Sequence, residues 1–127
     1  MTRRLLLCAL FLAALAPAQT RKKVVLRAGD IATIEDMRSA SPLIDIVPVR
    51  SKEDMMREIV DADGFIGQIK PDEVRAAKKL KWVQITSAGV ENSLSKSGGN
   101  DLRDSSIILT NNKIVQGPEI ADHALAM

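Results

Sequence analysis

From Val24 onward, short runs of β-branched and aliphatic residues alternate with stretches of helical periodicity, one pair roughly every 20 residues. The runs occupy 24–28, 43–49, 64–67, 82–86 and 106–110. Strands joined through helices cannot pair as hairpins, so they lie parallel while the helices cross over the sheet. Right-handed crossovers then restrict the chain to one open α/β sheet of about five strands with helices on both faces.

The intervening segments carry helix signals. Ile31, Ile34 and Met37 recur at helical spacing, with Thr33 and Asp36 placed as a capping pair, and Ser39 to Pro42 form a stop. Ser51 is an expected N-cap, followed by Glu53 and Asp54 in a first turn where the helix dipole favours acids. Met55/Ile59 and Met56/Val60 would form one apolar stripe. Pro71 opens the next helix, Val74, Ala77 and Leu80 face the sheet, and Lys78, Lys79 and Lys81 form its solvated end. Pro118 starts a last helix, whose stripe of Ile120, Ala121, Ala124 and Leu125 runs to the end of the sequence. Five strands with four helices describe a flavodoxin-like lobe.

Charge narrows the partners. Eighteen basic residues face 16 acidic ones, and the excess is Arg3 and Arg4 alone. The remainder is balanced and offers no basic face, and aromatics make up only 2% of the chain. Nucleic-acid binding is not expected. Arg3-Arg4, the apolar run Leu5 to Ala16 and the small residues Ala16-Pro17-Ala18 make a secretory signal over residues 1–18. The apolar run falls well short of the roughly 20 residues that span a bilayer. The chain is therefore expected to be exported, with no membrane association after cleavage. Cys8, the sole cysteine, leaves with the signal, which excludes an internal disulfide and a cysteine nucleophile from the mature chain.

Chemistry is sparse. Gly29, Gly64, Gly67, Gly89, Gly98, Gly99 and Gly117 never fall in the Gly-x-Gly-x-x-Gly spacing of a dinucleotide site, so this chain alone is expected to bind no NAD. Asp30 alone follows the first strand, and the third ends in Ile66-Gly67-Gln68, which removes the acidic set of a receiver domain. The stretch 28–31 lacks the threonines of a flavin phosphate loop. What remains is the run Trp82 to Thr86 and the small residues Ser87-Ala88-Gly89 behind it. A turn just past the carboxyl end of a strand is where ligands sit in open α/β sheets. Any strand leaving a sheet also needs such a turn, and the spacing leaves both readings open.

The wording of that stretch, Trp-x-Gln-x-x-Ser-Ala-Gly-Val-Glu over 82–91, resembles the substrate-domain loop of the D-isomer-specific 2-hydroxyacid dehydrogenases. Leu109-Thr110-Asn111 and then Gly117 to Ala126 resemble that family's hinge strand and first crossover helix, in the family's order. The resemblance spans Val24 to Met127 and implies residues 19–117 as the N-terminal portion of the substrate-binding domain. Residues 118–127 would begin the crossover to a nucleotide-binding Rossmann domain absent from this sequence, so the chain reads as truncated there. It implies backbone amides of Ala88, Gly89 and Val90 holding the carboxylate of a small 2-oxo or 2-hydroxy acid, with Gly67 and Gln68 lining the same mouth. NAD or NADP would serve the complete enzyme, which would dimerise only in full-length form. The family's catalytic arginine, carboxylate and histidine fall beyond Met127, so no catalytic residue is assigned here and the chain alone is expected to be inactive. His123 matches the crossover-helix motif and is expected to pack, not to catalyse. The alternative is an exported, non-enzymatic binding module that keeps the anion-binding turn.

Overall fold

The computed structural model describes residues 20–27, 31–96, 100–115 and 117–127. The expected leader, residues 1–18, lies outside the described residues. In chain order come β1 (Lys22–Arg27), α1 (Ile31–Ala40), β2 (Ile44–Val49), α2 (Lys52–Glu58), β3 (Gly64–Ile66), α3 (Pro71–Ala76), β4 (Trp82–Gln84), β5 (Ile108–Thr110) and α4 (Gly117–Ala126). A 3-10 turn, Ile59–Asp61, extends α2, and a π-helical turn, Asn92–Lys96, stands between β4 and β5. The five strands pair in parallel in the order β2-β1-β3-β4-β5. This is the flavodoxin-like order of a doubly wound sheet, and the expected fold class holds.

The period of two along the strands builds both layers. Val24 and Leu26 of β1 pack with Ile46 and with Ile34 of α1 on one face. Val25 points the other way and joins Val49, Phe65, Val83 and Ile85 against Met55, Ile59 and Val74 of the α2 and α3 side. Pro48, opposite Leu26 in the register, lies on the edge strand β2, where its missing N–H breaks no interior ladder.

Four local expectations are corrected. Thr33 lies inside α1, not at its cap. Met55 of α2 and Ile59 of the 3-10 turn are buried but Val60 is exposed, because the chain tightens after Glu58 and rotates Val60 outward. Helix α3 stops at Ala76, before the lysines. The Lys78 amide bonds the Val60 carbonyl at 3.1 Å and the Lys81 amide bonds that of Asp63 at 3.0 Å. The connection to β4 thus captures the backbone, leaving Lys78, Lys79 and Lys81 exposed on it while Leu80 is buried. Finally, α4 buries none of its residues, and His123 on it is exposed where packing was expected.

Candidate functional site

Beyond Gln84 the chain stays tied to β5 for one more residue, the Ile85 amide bonding the Thr110 carbonyl at 2.8 Å. It then bends through Thr86 to Ala88. Every carbonyl from Thr86 to Val90 has a donor. Asn112 Nδ2 donates to Thr86 O at 3.2 Å, and the Asn112 amide to Ser87 O at 3.2 Å. Asn111 Nδ2 donates to Ala88 O at 2.8 Å, and the Ser87 hydroxyl to Gly89 O at 2.9 Å. Val90 O accepts the amides of Ser93 and Leu94 at 3.0 and 3.1 Å. Among the described residues, the amides of Ala88, Gly89 and Val90 donate to no protein acceptor. The negative ends of these peptide dipoles are thus held by the protein, the polarity that suits an anion, and the Glu91 carboxylate stands beside them at Gly89.

The structure brings Gln68 to this turn. Its Nε2 donates to Ser87 Oγ at 3.2 Å, and its Oε1 accepts from the Ser93 hydroxyl at 3.0 Å. The parallel register of β3 on β4, Ile66 opposite Gln84, is what aligns the two exits. Gly67 is buried. Its φ of 128° is a conformation that side chains rarely adopt, and a Cβ there would stand 2.9 Å from Arg27 Cβ. Gly89 carries no such backbone constraint: an added Cβ would first meet the carboxylate end of Glu91, which would have to shift.

Arg27 and Glu73 were not singled out by the sequence, although a charge closing the apolar run Val24 to Leu26 was a visible signal. The Arg27 guanidinium donates through Nη2 to Glu73 Oε1 and lies 5.7 Å over the Phe65 ring, while its Nε is buried without an acceptor. Glu73 is only 1% exposed, and its second oxygen accepts the Lys70 amide at 2.8 Å. Arg27, Gln68, Ile69, Lys70 and Asn92 line a cleft of about 290 Å³. It opens where β1 and β3 end, the point at which the strand order reverses and ligands bind in such sheets.

A larger cleft of about 360 Å³ lies beside α1 and β2, lined by Ile34, Glu35, Arg38, Pro48, Arg50 and Asp54. Its two arginines and two carboxylates balance, so it favours neither sign of ligand. Among the described residues no group of three or more histidines, cysteines or acids is placed to hold a metal ion. No described helix is long and apolar enough to cross a membrane. No protein-family model matches the chain, and no curated protein matches it in sequence.

Proposed function

We propose that this chain is the substrate-binding lobe of an exported NAD(P)-dependent oxidoreductase acting on D-2-hydroxy acids and 2-oxo acids. The turn at 87–90 grips the substrate carboxylate through the amides of Ala88, Gly89 and Val90. The observation that supports this most directly is the division within the turn: five consecutive carbonyls are held by the protein while, among the described residues, three amides have no acceptor. The dinucleotide does not fit this chain, because no connection between a strand and a helix has the glycine spacing that admits a pyrophosphate. What the chain supplies is grip and orientation. A second reading, a binding module without chemistry, draws support from the cleft itself. Its lining contains no histidine, and the acid behind it, Glu73, is committed to Arg27 and to the Lys70 amide.

Titration of the ¹⁵N-labelled chain with 2-oxobutyrate tests the grip. Shifts centred on the amides of Ala88, Gly89 and Val90 are expected, and a flat titration overturns both readings. Gly89→Val crowds the anion without demanding a strained backbone. Losing one charge-assisted hydrogen bond costs about 1.5–3 kcal/mol, so the variant is expected to bind at least about tenfold more weakly with its Tm unchanged. Export belongs to the same proposal. Mass spectrometry of protein made in an exporting bacterial host is expected to find Gln19, or a residue adjacent to it, at the mature N-terminus.

A further inference from the structure

The cleft beside the turn holds a second set of anion donors that a single carboxylate would not use. Gln68 belongs to both places, bonding Ser87 on one side and lining the cleft with Arg27 and Lys70 on the other. Asn92, two residues past Val90, lines the cleft as well. Two cations, Arg27 and Lys70, therefore stand next to the carboxylate turn, with two carboxylates near them, Glu73 bonded to Arg27 and Glu91 against Gly89.

Glu73 cannot leave to answer a ligand, since it is buried and both its oxygens are bonded. It instead fixes the guanidinium, which also rests on Phe65 and keeps 29% of its side chain exposed at the cleft. Its Nε is buried without an acceptor, so only the exposed part of the guanidinium can meet a ligand. A planar guanidinium held in place suits a carboxylate better than a mobile surface lysine does. Ile69 supplies an apolar wall for the carbon chain between two charged ends.

We infer that the lobe takes a dicarboxylate 2-oxo or 2-hydroxy acid, one carboxylate on the amides of Ala88 to Val90 and the other against Arg27 and Lys70. This rests on the reading of the turn given above. It narrows the substrate class from small 2-oxo acids in general to those with a second anionic end.

The test compares 2-oxoglutarate with 2-oxobutyrate by calorimetry and by amide shifts in the labelled chain. The dicarboxylate is expected to bind at least about tenfold tighter, the effect of one added charge-assisted contact. Replacing Arg27 alone strands Glu73 as a buried unpaired charge. Arg27→Met is therefore combined with Glu73→Gln, and Lys70→Gln is made separately as a variant that disturbs no buried pair. Both are expected to collapse the ratio of the two affinities. Equal affinities for the two acids, with shifts at the turn, would overturn the dicarboxylate inference and leave the turn reading standing. Absence of turn shifts with either acid would overturn the turn reading and this inference with it. A ratio that survives in both variants would remove Arg27 and Lys70 from the site.

Discussion

Two glycines near the candidate site have opposite requirements, and only one of them was visible in the sequence. Gly89 stands in a run of small residues, which marks a turn, yet its position asks for no special backbone and its Cβ would first meet a movable side chain. Gly67 looks like an ordinary strand end, but its φ of 128° and the nearby Arg27 Cβ together require the absence of a side chain. Gly67→Ala is therefore expected to destabilise the fold by roughly 1–3 kcal/mol, the usual cost of a strained backbone position, read as a lower midpoint in urea denaturation. The corresponding Gly89→Ala is expected to leave that midpoint in place. The requirement at Gly67 arises from a residue 40 positions earlier in a neighbouring strand (67 minus 27). No local pattern could reveal it.

At the scale of elements, α2 shows which signals transfer. The Ser51 hydroxyl accepts the Asp54 amide at 3.0 Å, the N-cap that the sequence implied. The far end of α2 was not legible, because it is pinned by contacts that depend on strand register. The Lys23 ammonium on β1 meets Glu58 at 2.8 Å and Asp61 at 2.6 Å. Asp63, at the foot of β3, accepts the Lys23 amide at 3.1 Å and the Lys22 ammonium at 3.3 Å. The hydrogen bond from Lys23 holds the Asp61 carboxyl below the usual range, and Lys23 and then Arg57 do the same for Glu58. At Asp63 burial pushes upward, but the Lys23 amide and the lysine charges outweigh it and the net direction is down. Carboxyls depressed in the folded state contribute stability above their unfolded values, near pH 4, and lose it as pH falls through their folded values. Thermal unfolding followed by circular dichroism is expected to show a Tm that declines below about pH 4. Glu58→Gln with Asp61→Asn is expected to flatten the decline. Lys23 has the opposite sign. Burial works against its charge, Asp61 and Glu58 prevail, and its raised pKa makes its share fade only in strong alkali.

For the whole molecule, the alternation of periods made the parallel sheet legible because local propensity and global topology agree in every strand. The turn and Gln68 could be named together since each follows a strand, and in a parallel sheet all such exits gather at one edge. The Arg27–Glu73 pair escaped because it requires β1 to sit beside β3, and strand order is a property of the assembled sheet. The last helix is a different case: the sequence pattern and the structure agree, and the agreement leaves every residue of α4 exposed. Ile120 and Leu125 are 64% and 87% exposed, and Ile114, Val115 and Met127 along the same segment are exposed as well. Apolar side chains gathered in this way on one amphipathic segment are far from the scattered single exposures normal for a soluble surface. The chain is expected to self-associate as its concentration rises, giving sedimentation coefficients that climb with loading. Ile120→Glu with Leu125→Glu puts charge on that stripe and removes nothing from the core, since α4 contributes no buried residue. The double variant is expected to sediment as a monomer at every loading while keeping the wild-type Tm. A variant that still associates would place the sticky surface on the sheet, and a fallen Tm would mean that α4 packs on the lobe in solution.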